Sequence, residues 1–240
     1  MLIENTLFGE RDMVKLSTER LKAFEPEDGY FLAFSGGKDS QTIYHLCVDA
    51  GVRFTAHYNI TTVDPPELIY FIRKYYLDVI FEKPRITMWD LIVKKGMPPT
   101  RLVRYCCSEF KESHGFGKTV ITGVRWQESQ KRAKRAILEL NAYGKSKKIM
   151  LNNDSDEARR MFETCVLQGK HIVNPIIDWS ESGVWEYLNG KGLPHCCLYD
   201  EGWRRIGCIG CPMAGTKGME LEFERYPKYK AAYIRLLIAW

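Results

Sequence analysis

The 240-residue sequence lacks any long apolar run, and this absence is its first informative feature. No stretch approaches the roughly 20 apolar residues that a membrane-spanning helix needs. The opening residues show neither the basic segment nor the apolar segment of a secretory signal. Internal repeats and low-complexity segments are also missing. We therefore expect a cytoplasmic globular protein without a membrane partner.

The composition is that of an ordinary globular chain, with 45% hydrophobic and 27% charged residues. This length can bury one substantial α/β core. The net charge of +5 is modest, but basic residues concentrate between positions 131 and 148. Such a segment suits nucleic acid or another anionic ligand, and a solvated helix face explains it equally well. The basic residues are Lys131, Arg132, Lys134, Arg135, Lys145, Lys147 and Lys148.

Eight cysteines are present, and their spacing is more informative than their number. Disulfides are not expected in a reducing compartment or in a chain of this size. Cys106 and Cys107 are adjacent, and Cys208 and Cys211 form a Cys-x-x-Cys that precedes a proline. This pattern leaves open an iron–sulfur cluster, a tetrahedral zinc site, a redox dithiol or buried thiols. Cys47 lies in an apolar helical pattern and is predicted to be a small core residue.

Strand-like and helix-like segments alternate along the chain. Alternation of this kind predicts an α/β fold with a mainly parallel, twisted sheet and helices on both faces. The predicted strands are 30–34, 53–60, 79–81, 119–124 and 171–177, and the predicted helices are 10–24, 39–50, 65–76, 88–95, 128–140, 180–190 and 222–240.

These elements predict three regions. Residues 1–28 form an N-terminal helix, and residues 29–190 form a nucleotide-binding α/β domain. Within that domain, the polar residues 141–170 are interpreted as an insertion or lid. Residues 191–240 form a cysteine-rich, metal-binding loop and a closing helix.

The glycine loop, residues 35–40 with the sequence SGGKDS, follows a buried strand and opens a helix. A Walker loop requires glycine at position 32 and Ser or Thr at position 39, where this chain has Leu32 and Asp39. The physics is nevertheless shared, because glycines let the backbone approach an anion and helix amides point at it. A strand–turn–helix without a ligand is the alternative.

Several segments together resemble one known family. The loop resembles the PP-loop of the N-type ATP pyrophosphatases, and "GVRWQESQKRA", "NPIIDWSESGVWEYL" and "LYDEGWRRIGCIGCP" resemble segments of its phosphoadenosine phosphosulfate (PAPS) reductase-like branch. This resemblance covers roughly residues 25 to 230 and implies an adenine nucleotide α-hydrolase-like fold. "TTVDPPELIYF" occupies the place of the adenosine-side motif but departs from its usual wording.

The resemblance implies a site for ATP or for PAPS. The nucleotide-binding residues would be Ser35, Gly36, Gly37, Lys38, Asp39, Ser40, Thr61, Asp64, Gly123, Arg125, Ser129 and Arg132. Of these, Lys38, Asp39, Arg125 and Arg132 are predicted to be catalytic. If the nucleotide is ATP, Asp39 would help to hold Mg²⁺, because oxygen ligands and substrate phosphates suit that ion.

The cysteines are similar to those that carry a [4Fe-4S] cluster in adenylyl-sulfate reductases, with zinc as the alternative metal. That resemblance implies Cys106, Cys107, Cys208 and Cys211 as ligands. DNA phosphorothioation sulfurtransferases instead place one ligand upstream of their Cys-x-x-Cys, which makes Cys197 a further candidate.

Sulfonucleotide reductases use a cysteine in a mobile Glu-Cys-Gly tail, and nothing after Cys211 resembles that tail. We therefore expect ATP-dependent adenylation and sulfur transfer, assisted by the cluster. The expected partners are the nucleotide and a sulfur-donor protein such as a cysteine desulfurase, or a thiol reductant. The acceptor is a nucleic acid or a small molecule. The alternatives are an adenylyl- or phosphoadenylyl-sulfate reductase, and a non-catalytic nucleotide-binding subunit of a defence or mobile-element complex.

Overall fold

The computed structural model describes residues 2–6, 9–112, 114–115, 117–142, 149–151 and 169–238. Three lysines of the basic segment, at positions 145, 147 and 148, lie outside the described residues. The chain divides into two compact units. The first unit comprises Met1–His57, Asp78–Ile80 and Gly115–His195, and the second comprises Tyr58–Leu77, Phe81–His114 and Cys196–Trp240.

The described strands are β1 (Ile3–Thr6), β2 (Gly9–Asp12), β3 (Tyr30–Ala33), β4 (Phe54–Asn59), β5 (Ile80–Glu82), β6 (Thr119–Ile121), β7 (Leu138–Ala142), β8 (Ile149–Leu151) and β9 (Gly169–Val173). The described α-helices are α1 (Met13–Ala23), α2 (Lys38–Ala50), α3 (Pro66–Tyr75), α4 (Met88–Lys95), α5 (Tyr105–Cys107), α6 (Glu181–Gly190), α7 (Gly215–Arg225) and α8 (Pro227–Ile238). No helix in these ranges is both long and apolar enough to cross a membrane.

Seven strands form one sheet in the order β5-β4-β3-β6-β9-β7-β8. Strand β3 runs parallel to β4 and β6, and β6 runs parallel to β9. Strand β7 is antiparallel to both β9 and β8. The predicted α/β fold with a mostly parallel sheet is therefore confirmed.

Strand β3 forms the centre of the first unit because its side chains are apolar on both faces. Tyr30, Phe31 and Leu32 are all buried, as expected for a strand covered on both sides. Helix α2 follows it directly and packs against α1 and α6. The strand therefore delivers the glycine loop to the N-terminus of a helix that is itself held by two others.

Helix α1 is anchored to the segment before α6 by a buried ion pair. Arg20 donates to both carboxylate oxygens of Asp178 at 2.9 and 3.0 Å. The indole N–H of Trp179 donates to Ser17 Oγ at 2.9 Å, and Trp179 is buried in the core. The Pro-Ile-x-x-Trp segment thus has a structural role in this chain.

The predicted helix over residues 128–140 is wrong. A short 3₁₀ turn at Trp126–Glu128 is followed by further turns and then by β7. Three consecutive side chains at 136–138 are buried, whereas a surface helix buries only one stripe. The backbone of Ala136 is held by Asn174 and Glu139, through hydrogen bonds of 2.8 and 3.0 Å.

The expected insertion begins inside the sheet. Residues 141–142 belong to β7, residues 149–151 form β8, and residues 169–170 belong to β9. Residues 143–148 and 152–168 lie outside the described part of the chain. The prediction of a lid there stays a prediction.

The single closing helix expected over residues 222–240 is also wrong, because two helices occupy the described part of this region. Helix α7 ends at Arg225, and α8 begins at Pro227. Proline has no amide hydrogen to donate, and it pushes the preceding residue away from helical geometry. Tyr226 accordingly has φ −124° and ψ 66°.

Candidate functional site

The glycine loop is closed by side chains from the first turn of α2. Gly36 has φ +71°, a left-handed conformation that favours glycine. Ser40 Oγ donates to the Gly37 carbonyl at 2.9 Å and accepts the Ser35 amide at 3.2 Å. Gln41 Nε2 donates to the Gly36 carbonyl at 2.8 Å. These bonds fix the loop without any ligand.

Helix α2 begins at Lys38, with Gly37 as its N-cap. Glycine has no side chain, and no side-chain hydrogen bond caps this helix. The first amides of a helix have no intrahelical acceptor, so an uncapped N-terminus can bind an anion. The loop therefore has the geometry of an anion cradle.

Lys38 brings a positive charge to this helix start. Its side chain is buried, and its Nζ lies 3.2 Å from Glu181 Oε1. Glu181 stands in the first turn of α6, which begins after the predicted cap Ser180. The Glu181 amide donates to Gln127 Oε1 at 2.8 Å. The sequence interpretation missed Glu181 and Gln127, although an acidic residue directly after a helix cap was the available signal.

Arg125 and Gly123 lie against the same helix start, as the sequence predicted for a shared site. Arg125 is buried, and its Nε donates to Asp39 Oδ1 at 2.7 Å. A Cβ on Gly123 would lie 3.0 Å from the Cβ of Asp39 and 3.2 Å from its carbonyl carbon. The two segments are therefore packed closely, and a side chain at position 123 would require Asp39 to shift by a few tenths of an ångström.

Arg132 and Ser129 lie in the turns that follow the 3₁₀ turn. Arg132 forms an ion pair with Glu128, and its amide donates to the Ser129 carbonyl at 2.9 Å. Both residues belong to the first unit, with the loop. Their contact with a nucleotide stays a prediction.

Thr61 and Asp64 belong to the second unit. The amide and hydroxyl of Thr61 donate to the two carboxylate oxygens of Asp64, each at 2.7 Å. Between them, Thr62 has φ +65°, which is rare for a β-branched residue. The structure shows a tight, strained turn here, and its role in nucleotide binding is untested.

The second unit also brings four predicted metal ligands together. Cys106 and Cys208 pack against a buried apolar core that includes Val63 and Phe110. A hydrogen bond with Cys107, followed by burial, raises the pKa of the Cys106 thiol far above its ordinary value. The charges of Cys208 and Cys211 act in the same direction. We call Cys106, Cys107, Cys208 and Cys211 the cysteine group.

The turn that carries Cys208 and Cys211 is fixed by hydrogen bonds from two of its amides and by close packing at Gly210. The Ile209 amide donates to the Val63 carbonyl at 2.8 Å, and the Gly210 amide donates to Glu222 Oε2 at 2.7 Å. Gly210 has φ +72°, and a Cβ there would lie 2.8 Å from the ring of Tyr233. Glycine at this position is therefore required by both conformation and space.

Two further ionisable residues respond to this environment. Negative charge on Cys208, helped by that of Asp64, raises the pKa of the Lys111 ammonium. Burial raises the pKa of the Glu222 carboxyl to about 7. Neither residue was predicted from the sequence.

Cys197 interacts with a thiol that does not belong to the cysteine group. It is exposed at the start of the Cys197–Tyr199 turn and interacts with Cys196. Burial raises the pKa of the Cys196 thiol to about 11.

The cysteine group fits a metal by its donor chemistry and by its shared neighbourhood. Four thiols are the ligand set of iron–sulfur and structural zinc sites. Their positions do not form a closed site, because no three His, Cys, Asp or Glu side chains of the described ranges are placed to hold a metal ion together. A metal-binding segment is therefore not confirmed.

Comparison with known proteins identifies the family. The model of the phosphoadenosine phosphosulfate reductase domain matches residues 29–214. An uncharacterised protein of Methanocaldococcus jannaschii is 26% identical over 223 residues, which cover 85% of this chain and 46% of that protein. Adenosine 5'-phosphosulfate reductase of Oceanobacillus iheyensis is 25% identical over 141 residues, or 56% of this chain and 49% of that enzyme. The chain thus spans less than half the length of these relatives.

A solved structure supports the same fold. The phosphate complex of PAPS reductase from Candida auris superposes with a TM-score of 0.53 and 18% identity, and the match covers 81% of this chain and 89% of that one. At this identity the likeness concerns the fold alone.

Proposed function

Because the chain belongs to the phosphoadenosine phosphosulfate reductase domain family, we propose that it binds ATP on the glycine loop and transfers the adenylyl group to an acceptor oxygen. Sulfur then replaces the resulting AMP. The observation that carries this proposal is the uncapped N-terminus of α2, which lies beside Lys38 and Arg125. Uncapped amides with adjacent cations suit the departing pyrophosphate of ATP.

In the first step the acceptor hydroxyl attacks the α-phosphorus. The bond from that phosphorus to the oxygen bridging to the β-phosphorus breaks, pyrophosphate leaves, and the hydroxyl proton passes to water. Lys38 and the loop amides would stabilise the charge that develops on pyrophosphate. Glu181 would hold Lys38 until the polyphosphate takes its place. Asp39 would join the ATP phosphates as a ligand of Mg²⁺.

In the second step the outer sulfur of a donor-protein persulfide attacks the activated carbon or phosphorus of the acceptor, the bond to the AMP oxygen breaks, and AMP leaves. A thiol reductant then supplies two electrons that cleave the S–S bond, which leaves sulfur on the acceptor and a thiol on the donor. A cysteine desulfurase and a thiol reductant are the classes of partner that this chemistry requires. The cysteine group would hold a [4Fe-4S] cluster, with Cys197 as an alternative ligand and zinc as the alternative metal. When bound, such a cluster would supply an iron centre able to coordinate the sulfur that is transferred.

Two measurements test the proposal, namely the release of pyrophosphate from ATP and the affinity of the protein for ATP. Lys38→Ala should weaken ATP binding by about 1.5 to 3 kcal/mol, the range for a hydrogen bond to a charged group. The matched variant Glu181→Gln removes the competing carboxylate, so it should bind ATP at least as tightly as the wild type. Calorimetric titration measures both variants. Unchanged affinity in Lys38→Ala would mean that the loop does not bind the phosphates.

A sulfonucleotide reductase is the second candidate, favoured by the family model and by the name of the Oceanobacillus relative. Incubation with PAPS or adenosine 5'-phosphosulfate and reduced thioredoxin separates the two functions. Sulfite formation without pyrophosphate release from ATP would assign the reductase. Nucleotide binding without either product would instead favour a non-catalytic subunit.

A further inference from the structure

Trp126 is a large aromatic residue at the surface of the first unit, and it is held rigidly. Its side chain keeps 38% of its surface exposed. The indole N–H donates to the Arg135 carbonyl at 2.8 Å, and the backbone N–H donates to the Ile177 carbonyl at 2.7 Å. The ring is therefore fixed along one edge while part of it faces solvent.

The basic turn, residues 129–135, lies next to this ring and carries charge that is only partly neutralised. Arg132 pairs with Glu128, and Arg135 pairs with Glu139. Lys131 and Lys134 are exposed, and neither has an ion-pair partner within the described part of the chain. Two uncompensated positive charges thus accompany the fixed ring.

Trp126 and its two chain neighbours have different hydrogen-bond partners. The side chain of Arg125 bonds to Asp39, and that of Gln127 accepts the Glu181 amide. The indole between them bonds instead to the basic turn. The ring is one residue along the chain from Arg125, and its N–H edge contacts the basic turn, whereas the Arg125 side chain contacts α2.

We propose that Trp126, Lys131 and Lys134 bind single-stranded nucleic acid, with a base stacked on the indole and backbone phosphates beside the lysines. An exposed aromatic ring beside cations is how proteins bind single strands without reading sequence. A duplex keeps its bases stacked inside, and an acidic peptide would use the lysines without the ring. The further conclusion, that nucleic acid is the adenylated acceptor, rests on the proposed function.

The test is the anisotropy of a labelled mixed-sequence single-stranded oligonucleotide, measured without ATP. Trp126→Ala should weaken binding about 10-fold or more, because base stacking on an aromatic side chain is lost. Trp126→Phe keeps a stacking face and should retain most of the affinity. The double variant Lys131→Ala/Lys134→Ala should reduce the slope of log K against log salt by about 1.4, the value for two single-strand phosphate contacts.

Matched controls separate this surface from general effects. Tyr70→Ala removes another exposed aromatic ring, and Lys15→Ala/Lys22→Ala removes two exposed lysines of α1. Both should leave oligonucleotide affinity unchanged, and thermal unfolding should show that every variant is folded.

Three outcomes would overturn the proposal: no loss of affinity in Trp126→Ala, duplex binding as tight as single-strand binding and independent of Trp126, or a loss of ATP affinity alone in that variant. The last outcome would mean that the ring serves the nucleotide. Failure of the proposed function looks different, because the oligonucleotide would bind but would yield no pyrophosphate from ATP.

Discussion

Gly123 is packed closely against the helix that the glycine loop opens. A methyl group there would press on the backbone of Asp39, which lies in the first turn of α2. A helix backbone cannot move away as a flexible side chain can. A side chain at this position therefore requires the first turn of α2 or the segment that carries Gly123 to give way by a few tenths of an ångström.

We expect Gly123→Ala to weaken ATP binding and to destabilise the protein by about 1 to 3 kcal/mol, the usual cost of overpacking. Gly190→Ala is the matched control, since a Cβ there meets nothing within 4 Å. Alanine in a helix is favoured over glycine by about 0.5 to 1 kcal/mol, so this control should be neutral or stabilising. Calorimetry and urea unfolding measure the two effects. Equal behaviour of the two variants would contradict the close packing.

Single residues of the loop were predictable because their chemistry is local. Two glycines, a lysine and a helix start lie within six residues, and each has its own physical reason. Glu181 was not predictable in the same way, because its contact with Lys38 joins segments that are far apart in the sequence. Only the fold shows which acidic side chain meets the lysine.

Helices and strands differ in how well the sequence predicted them. Helix α4 matches the predicted range 88–95, because Thr87 caps its start and Gly96 ends it in a left-handed conformation. The helix predicted over residues 128–140 was wrong because the charged residues of this segment have helical spacing. The apolar residues near its end, 136–138, are instead buried just before and at the start of strand β7. Pairing of β7 with β9 supplies hydrogen bonds that no local pattern reveals.

The anchor of α1 gives a prediction about stability. Arg20 and Asp178 keep only 3% and 6% of their side chains exposed, so this pair is buried. Asp178 also pairs with Arg11, so removing Arg20 leaves the carboxylate with one remaining cation. Arg20→Ala should lower the free energy of unfolding by about 1.5 to 3 kcal/mol, the range for a hydrogen bond to a charged group.

The surface pair Arg53–Glu25 is the control for α1, because 68% of the Arg53 side chain is exposed. Arg53→Ala should change the free energy of unfolding by at most about 1 kcal/mol. Urea denaturation of both variants makes the comparison. A small effect of Arg20→Ala would mean that α1 is held by its apolar face alone.

The ends of α2 and α6 are joined by Asp49, and this contact predicts a pH dependence. Lys191 and Tyr187 donate to its carboxylate at 2.6 Å. Burial alone would raise the pKa of Asp49, but these hydrogen bonds outweigh burial and lower it. A lowered pKa means that the contact stabilises the fold above the unfolded-state pKa of about 3.9. That stability is lost as the pH falls through the folded-state pKa.

Asp49→Asn should therefore destabilise the protein at pH 7, by at most about 1 kcal/mol because the pair is largely exposed. The difference from the wild type should shrink as the pH falls below about 3.9, where the carboxylate becomes protonated in the unfolded state, and should vanish below the lower folded-state pKa. Tyr187→Phe removes one donor and should show a smaller change of the same sign. Urea unfolding at pH 7 and below about pH 3.9 measures the stability of both variants and of the wild type. A stability difference that does not change with pH would contradict the stabilising role of the Asp49 carboxylate.

The chain as a whole divides its chemistry between its two units. The first unit carries the glycine loop with Arg125, and the second carries the cysteine group. The order of motifs was enough to predict the family and the mostly parallel sheet. The two-unit division was beyond the sequence, because each unit is assembled from separate chain segments.

The last prediction concerns metal in the second unit. Anaerobically purified protein should contain about four iron and four sulfide per chain, as a [4Fe-4S] cluster requires. Cys208→Ala and Cys211→Ala should lose the iron, and Gly210→Ala should lose it too, because its Cβ would strike Tyr233 and Phe223. Cys47→Ala is the matched control, since that thiol is buried in α2 of the first unit and should not affect iron.

Cys106→Ala and Cys197→Ala identify the remaining ligands. Cys106 interacts with three other thiols, whereas Cys197 interacts with Cys196. We therefore expect iron loss in Cys106→Ala and retention in Cys197→Ala. The reverse result would make Cys197 the upstream ligand. Stoichiometric zinc without iron would replace the cluster by a structural site. The absence of both metals would leave the cysteine group as four half-buried thiols without a metal.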